Sequence, residues 1–387
     1  MTWRIWWTPL ITIGTAALAV VACGDGGSAP GPQPEVGSPR ASANSTCARV
    51  EGEARAFCWG ANEFGQLGDG TTTDRTRPTP VIGPPLFDTP FPGDHTCSIE
   101  GDGLYCWGRN TSGEVGVGTT DPVLSPTLVT GGLSFQQVAV GDDFTCGLAN
   151  LGAIYCWGAN DDGQLGTGIP GDSPVPVAIA GNSEFRFIAA AGRTACGGTI
   201  TGELLCWGNG VDGELGNGQF GITAATPTQV PGGLQFFQEV GIGANAAGQA
   251  TVCAPTDDGG YCWGKNSDGE IGDGTLVRRN VPTAVIGLPG SSQIAPGGSH
   301  TCARTLSGAV LCWGKGGRLG TGNTAPSSTP VAVTGGQTFG AIWSGRDHTC
   351  GGADEPPLRA HCWGDNARGQ LGDGTTTARL VPTRITF

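Results

Sequence analysis

Residues 58–68 read Cys-Trp-Gly-Ala-Asn-Glu-Phe-Gly-Gln-Leu-Gly, and residues 362–372 read Cys-Trp-Gly-Asp-Asn-Ala-Arg-Gly-Gln-Leu-Gly. The tripeptide Cys-Trp-Gly occurs seven times in the chain of 387 residues, and its spacings are 48, 50, 50, 56, 50 and 50. A fixed motif with a period near 50 residues is typical of propeller blades. The sequence therefore predicts seven related structural units.

Each Cys-Trp-Gly tripeptide has a second cysteine 9 to 12 residues upstream. Short apolar stretches around a glycine separate the two cysteines, a pattern that predicts a β-hairpin whose arms bring the cysteines face to face. In an exported chain we expect these pairs to be oxidised, whereas reduced cysteines would serve as small core residues. The predicted pairs are Cys47–Cys58, Cys97–Cys106, Cys146–Cys156, Cys196–Cys206, Cys253–Cys262, Cys302–Cys312 and Cys350–Cys362.

Two further strands are predicted in each unit. A Thr-rich stretch and then a Pro-Val segment follow the Gly-Gln-Leu-Gly turn, and they indicate an outer strand, where proline is tolerated. A strand that ends in glycine, such as residues 135–141, then leads to the next cysteine pair. With the cysteine hairpin this makes four strands per unit and no helix. The predicted class is therefore all-β.

Together these residues resemble the regulator-of-chromosome-condensation repeat family, whose repeat carries Trp-Gly, Asn, Gly-Gln-Leu-Gly and a His near the first strand pair. The resemblance covers residues 46–387 and implies a seven-bladed β-propeller of four-stranded blades. A closed ring leaves few exposed sheet edges. We expect the terminal strand Val381–Phe387 to close the ring by pairing near the N-terminal segment.

The first residues predict export. Arg4 is the only charged residue of segment 1–22, an apolar run follows it, and Val20-Val21-Ala22 precedes Cys23. This resembles a bacterial lipoprotein signal, which implies cleavage after residue 22 and a lipid on Cys23. An ordinary signal peptide or an uncleaved anchor helix are the alternatives. Segment 23–45 is rich in Gly, Pro and Ser and predicts a flexible tether to the propeller.

The composition limits the possible partners. The net charge is −13 and the chain has only two lysines, Lys265 and Lys315. An acidic surface repels phosphate, so we expect no nucleic-acid partner and contact with a membrane through the lipid alone. The predicted protein is a monomer that requires no cofactor.

Catalytic motifs are not evident. His95, His300 and His348 share one position, two residues before the first cysteine of a pair, so the repeat register predicts that they are structural. The three tyrosines directly precede motif cysteines and are poor candidates for a glycosidase nucleophile. Zinc-type cysteine spacing and a standard calcium loop are absent from the sequence, although weak Ca²⁺ binding at Asp-Asp turns remains an alternative. We therefore predict no catalytic residue and no metal site.

A partner is expected to dock on one face of the ring. We label the strands of each unit A (before the first cysteine), B and C (the cysteine hairpin) and D (the Pro-Val strand). In an up-and-down blade the A–B and C–D loops share a face, and that face carries the Gly-Gln-Leu-Gly turns. The largest insertion, in residues 243–250, falls in an A–B loop. Trp343 occupies a strand-A position that holds Ala139, Ala190 or Ala295 in other units, and an aromatic residue at a concave site is a typical binding anchor. The other candidate partner-binding residues are Phe64, Arg109, Arg318 and Arg368.

These observations predict a non-catalytic propeller, lipid-anchored outside the cytoplasm at the cell envelope, that binds an unknown protein or a glycan. The alternatives are a carbohydrate-active hydrolase or lyase with its site in the central channel, and a purely structural envelope protein. Small residues along the channel would favour the binding module, whereas converging Arg, Glu and Asp would favour the enzyme.

Overall fold

The computed structural model describes residues 39–50, 53, 55–83, 88–232, 239–353 and 359–385. These residues form seven antiparallel sheets, the blades of a closed propeller, which confirms the predicted fold. Within each blade the strands follow one another in space in sequence order, and positions A to D run from the central channel outward. No helix of the described residues is long and apolar enough to cross a membrane.

The described strands are grouped blade by blade. Blade 1 contains β1 (Arg40–Ser42), β2 (Ser45–Arg49), β3 (Ala56–Gly60) and β4 (Arg75–Pro80); blade 2 contains β5 (His95–Glu100), β6 (Gly103–Gly108) and β7 (Val123–Leu128); blade 3 contains β8 (Phe135–Val140), β9 (Phe144–Ala149), β10 (Ile154–Gly158) and β11 (Ser173–Ala178); blade 4 contains β12 (Phe185–Ala191), β13 (Thr194–Thr199), β14 (Leu204–Gly210) and β15 (Ile222–Gln229); blade 5 contains β16 (Gly241–Ala244), β17 (Ala250–Thr256), β18 (Gly259–Gly264) and β19 (Arg279–Ala284); blade 6 contains β20 (Ser291–Pro296), β21 (His300–Thr305), β22 (Val310–Gly314) and β23 (Ser327–Ala332); blade 7 contains β24 (Phe339–Ser344), β25 (His348–Ala353), β26 (Ala360–Gly364) and β27 (Arg379–Arg384).

Position A of blade 2 is reduced to a single bridge, which Phe91 makes with Cys97. Phe91 both donates to and accepts from the backbone of Cys97, at 2.8 and 3.2 Å. Its neighbours are Pro90 and Pro92, which have no N–H group to extend the ladder. Phe91 therefore takes the place of strand A in blade 2 without forming a regular strand.

Every predicted cysteine pair is a disulfide within one blade. In each blade the bond joins directly opposed residues of strands B and C, as Cys97 and Cys106 are in blade 2. Their Cα atoms lie 4.1 Å apart, the close spacing of a non-hydrogen-bonded antiparallel pair. The period-two side-chain alternation of the two arms places both sulfur atoms on the same face of the sheet.

The core lies between neighbouring blades. Trp263 of blade 5, for example, packs with Leu204 and Leu215 of blade 4, and the tryptophans of all seven Cys-Trp-Gly motifs are fully buried. A sheet that is apolar on both faces needs a neighbour on each side, and in a ring every blade has two. The ring itself therefore completes the burial of each repeat.

The propeller begins before the predicted boundary at residue 46. β1 lies within segment 23–45, which was predicted to be a tether, and it pairs with β2 as position A of blade 1. The three residues of β1 read Arg-Ala-Ser, and a single alanine between two polar residues does not distinguish a strand from a polar linker. Residues 1–38, including Cys23 and the predicted signal segment, lie outside the described residues.

The expectation that the terminal strand closes the ring near the N-terminal segment is wrong. β27 pairs with β26 and is the outer strand of blade 7, which needs no strand from elsewhere. Blade 1 has its own inner strand, so blades 1 and 7 meet by side-by-side packing of β1 on β24. The N–H group of Arg346 also donates to the carbonyl of Ala43 across this junction, at 2.8 Å.

Candidate functional site

One contact joins every neighbouring pair of blades on the face that carries the A–B and C–D loops. The second glycine of each Gly-x-apolar-Gly turn adopts a positive φ and lies against the indole of the next blade's tryptophan. The seven pairs are Gly68–Trp107, Gly116–Trp157, Gly166–Trp207, Gly216–Trp263, Gly272–Trp313, Gly320–Trp363 and Gly372–Trp59. The last of them joins blade 7 to blade 1, so the ring closes by the same contact that joins its other blades.

Histidine and threonine form a second link between blades. His95 Nε2 lies 2.6 Å from Thr145 Oγ1 of the next blade, and this hydroxyl donates to the carbonyl of Glu114 at 2.9 Å. Because the threonine proton goes to the carbonyl, the neutral imidazole donates from Nε2. Burial lowers the pKa of His95 to about 3, so the imidazole is neutral at pH 7. His300 and His348 make the equivalent bonds, which confirms the structural role predicted from their shared position.

The turn position before the apolar anchor holds Gln in three blades and Glu in three others. Gln66, Gln164 and Gln370 each accept a hydrogen bond from the N–H group two residues earlier, and so do Glu114, Glu214 and Glu270. Lys265 pairs with Glu270, and Arg109 lies 3.7 Å from Glu114. Among the described residues Glu214 has no salt bridge, and burial raises its pKa to about 7.

We expect Glu214→Gln to raise the free energy of unfolding at pH 8 by about 1 to 3 kcal/mol. Between pH 4.5 and 7 the folded protein keeps a proton that the unfolded chain loses, so this group destabilises the fold as the pH rises. The amide keeps the hydrogen bond to Asp212 without a charge. Urea unfolding at pH 8 and at pH 4 measures the change, and the gain should vanish at pH 4.

Glu270→Gln is the matched control for this prediction. It removes the buried partner of the Lys265 ammonium and, among the described residues, leaves only the Asp268 carboxylate, at 3.5 Å, so its expected effect at pH 8 is a loss of stability. Equal changes in the two variants, or a Glu214→Gln gain that persists at pH 4, would show that the gain does not arise from the raised pKa of Glu214.

The four loop residues predicted to bind a partner lie on this face and take part in contacts between blades. Arg109 contacts Asp143 of the next blade at 2.5 Å and lies 5.6 Å from the centre of the Phe64 ring. Arg318 pairs with Asp347 at 3.1 Å, and Arg368 contacts both Glu63 and Asp74 at 3.0 Å. A partner that used these arginines would have to share them with those carboxylates. Their role in binding stays a prediction.

An apolar cluster lies on the same face at blades 4 and 5. Val211, Phe220, Leu276 and Val277 are 40 to 63% exposed, and the Arg278 guanidinium lies 4.7 Å from the Phe220 ring centre. We call these four apolar residues the rim cluster. Sequence reasoning missed it, although one signal was present: Leu276 and Val277 stand where blades 1 and 7 have Thr-Thr, at 72–73 and 376–377.

The long A–B hairpin of blade 5 adjoins the rim cluster. Strand residue Gly241 pairs with Cys253, twelve positions on, whereas the equivalent separation in blade 3 is seven, from Ala139 to Cys146. This confirms the predicted place of the insertion. Asp212 connects the two features, because it accepts from Gln249 of the hairpin at 2.6 Å and from Arg278 at 2.7 Å. The hairpin is therefore held against the cluster.

Trp343 lines the central channel, as its strand-A position predicted. Strand register places Ala189, not Ala190, at the equivalent point of blade 4, because Ala189 pairs with Cys196 seven positions on, as Trp343 pairs with Cys350. The residues that pair with the first cysteine of each blade form one layer of the channel. They are Arg40, Phe91, Ala139, Ala189, Gly241, Ala295 and Trp343.

The channel is lined both by small residues, which favour a binding module, and by converging Arg, Glu and Asp, which favour an enzyme. Its middle is a cavity of about 230 Å³ with mostly small and aliphatic walls. The end formed by the D–A loops is a vestibule of about 290 Å³, which Arg40, Asp88 and Glu239 reach. Within the described part of the chain, no three His, Cys, Asp or Glu side chains are grouped to hold a metal ion.

A family model agrees with this architecture. The regulator of chromosome condensation (RCC1) repeat matches residues 53–89, 102–148, 152–202, 257–304 and 359–387, which together are more than half of the sequence. The chain belongs to this repeat family. A second RCC1 repeat model matches residues 135–164 and 292–318.

Curated RCC1-repeat relatives match segments of the chain. The human E3 ubiquitin-protein ligase HERC2 is 31% identical over 158 residues, which are 39% of this chain and 3% of HERC2. The ultraviolet-B receptor UVR8 of Arabidopsis thaliana is 33% identical over 132 residues, which are 33% of this chain and 30% of UVR8. The chain thus matches less than a third of the length of either relative.

Solved RCC1 structures show the same fold over most of the chain. Yeast RCC1 (Prp20), in its structure with Kap60, has a TM-score of 0.75 and 20% identity, and the match covers 87% of this chain and 84% of that one. The Prp20p structure from Saccharomyces cerevisiae gives 0.73 and 21%, and it covers 87% and 86%. At these identities the likeness concerns the fold alone.

Proposed function

We propose that this RCC1-repeat protein is a non-catalytic binding module, displayed on the bacterial cell envelope through a lipid on Cys23. Its partner is a protein that docks on the face of the A–B and C–D loops. The rim cluster is the observation that carries this proposal, since it is a group of exposed apolar side chains on a loop face where Arg109, Arg318 and Arg368 are engaged in ion pairs.

The rim cluster differs from the exposed aliphatic residues of the B–C turns on the opposite face. Leu151, Ile200 and Leu306 are also exposed, but each is a single residue in the B–C turn of a different blade. Phe220 and Val211, by contrast, share contacts with Arg278, whose guanidinium donates to the Val211 carbonyl at 3.2 Å. Exposed apolar side chains around an aromatic anchor are a usual centre of a protein interface.

Relatives support a role in protein binding. Yeast RCC1 (Prp20) has been solved in complex with Kap60, and Prp20p binds Gsp1p and histones. Those partners are not expected here, because an acidic chain with a predicted export signal would not meet them. Prp20 is therefore an example of a protein of this fold that binds other proteins.

Crosslinking in intact envelopes, followed by capture of the tagged protein, tests the proposal. In the test variant Phe220→Ser is combined with Leu276→Thr and Val277→Thr, two residues that other blades carry at the same positions. We expect it to capture at least tenfold less of the crosslinked partner, because the apolar centre of the interface is gone.

Labelling with a radioactive fatty acid in wild type and in Cys23→Ala tests the lipid anchor.

The matched control carries Ile200→Thr and Leu306→Thr in the B–C turns of the opposite face. It removes similar apolar area and should retain the partner. Retention of the same partner by the rim-cluster variant, or an equal loss in the control, would contradict docking at this site.

A further inference from the structure

Among the described residues, the channel is open at the end of the D–A loops and nearly closed at the end of the A–B loops. At the end formed by the A–B loops only about 30 Å³ is free, between glycine-rich turns and the side chain of Arg346. Arg346 is held there because its carbonyl accepts from Gly298 and its guanidinium lies 3.9 Å from Asp142. The middle cavity and the vestibule share Arg40, Phe91 and Trp343, so a ligand enters from the D–A end.

The large residues of the channel layer stand together on one side. Trp343, Arg40 and Phe91 belong to consecutive blades 7, 1 and 2, whereas blades 3 to 6 carry only alanine or glycine at this level. If these side chains served only to fill the channel, no space would remain opposite them. Instead a cavity of about 230 Å³ separates the half-buried indole from Ala139, Ala189 and Ala295.

The polar groups at the mouth carry charges of both signs. The Arg40 guanidinium lies 3.6 Å from the centre of the Phe91 ring and donates to the Thr89 carbonyl at 2.8 Å. Glu239 and Asp88 lie near enough to interact with its charge, and Glu239 accepts from Gln137 at 2.7 Å. A free anion would face these carboxylates, and a free cation would face the guanidinium. Neutral hydroxyl groups can instead accept from Arg40 and donate to the carboxylates without separating them.

We propose that the channel binds one neutral sugar ring, with its apolar face against Trp343 and its hydroxyl groups toward Arg40 and Glu239. Flat aromatic walls with a few placed polar groups are the usual composition of a small-molecule pocket. The cavity is smaller than the range of about 300–1,000 Å³ for drug-sized ligands, so it admits a single ring. This site is at the opposite end of the ring from the rim cluster and does not depend on the proposed docking face.

Saturation-transfer NMR and isothermal titration with the purified protein test the proposal. Glucose, galactose and N-acetylglucosamine are the neutral probes, while glucuronate and arginine are the charged comparisons. We expect saturation transfer to at least one neutral hexose and to neither charged compound. The methyl glycoside of that hexose separates the two sources, since a site for the end of a glycan accepts it and a site for the free sugar does not.

Two variants test whether the ligand binds in the channel. Trp343→Ala introduces the residue that three other blades carry in this layer, and Ala295→Leu fills the cavity from the opposite wall. Each should weaken binding at least tenfold, whereas Val281→Ala on the outer strand should not, and matching thermal unfolding curves confirm that the variants fold. No neutral hexose bound, a preference for glucuronate or arginine, or unchanged binding in both channel variants would each overturn the proposal.

Discussion

Once its seven disulfides have been reduced, the protein is expected not to refold at room temperature. Each bond closes a loop of 9 to 12 residues. In the chain-entropy model a loop of this size contributes about 2 to 3 kcal/mol by restricting the unfolded chain. Seven such contributions exceed the net stability of about 5–15 kcal/mol that is typical of a folded domain.

The measurement has to allow for the burial of the bonds. Every paired cysteine is fully buried, so a reductant reaches the sulfur atoms only when a blade opens. The protein is therefore reduced in concentrated urea and then diluted with reductant present, while a parallel sample is diluted without reduction. Near-ultraviolet circular dichroism reports the packing of the blade tryptophans, which should return only in the oxidised sample.

A variant that lacks one pair provides the graded control. Cys146→Ser with Cys156→Ser removes a single bond and should lower the free energy of unfolding by about 2 to 5 kcal/mol without preventing folding. A reduced chain that refolds and unfolds at the urea concentration of the oxidised one would show that the inter-blade core alone holds the propeller.

The sequence was sufficient to predict the blades and their disulfides because the signals for both are local and repeated. Cys-Trp-Gly fixes strand C, and the upstream cysteine fixes strand B at a nearly constant distance. The structure adds that Trp107 and its equivalents link neighbouring blades, which no single repeat could reveal. Repetition predicts what each blade contains, but long-range packing determines how the blades meet.

The features that bear on function were harder to predict because they depart from the repeat. β1 has only three residues, and Arg40 shows no resemblance to the alanines that occupy its position in other blades. The cation–π contact between Arg40 and Phe91 joins residues on two blades, one of them at an irregular bridge. Trp343 was found because it replaces alanine in a strand with clear register. In the sequence, the rim cluster showed only as the replacement of Thr-Thr by Leu276-Val277. That replacement could not be connected with Val211 and Phe220 until the fold placed the loops of blades 4 and 5 on one face.

The second large effect is expected at the junction that closes the ring. A Cβ atom on Gly372, whose φ is +68°, would lie 2.6 Å from Trp59 Nε1. The indole would have to move, and it would lose the hydrogen bond of 3.0 Å that Trp59 donates to the Gln370 carbonyl. We expect Gly372→Ala to lower the free energy of unfolding by about 3 to 6 kcal/mol, through backbone strain, overpacking and the lost bond.

Two other glycines separate these causes. Gly132 has a φ of +64° and nothing within 4 Å of its Cβ position, so Gly132→Ala should cost only the strain of about 1 to 2 kcal/mol. Gly166 makes the same contact with Trp207, at 2.8 Å, between blades 3 and 4. Urea unfolding of the three variants compares them. If the closing junction is equivalent to an internal one, Gly166→Ala and Gly372→Ala lose the same stability; a Gly372→Ala loss no larger than that of Gly132→Ala would mean that blades 7 and 1 are not held by this contact.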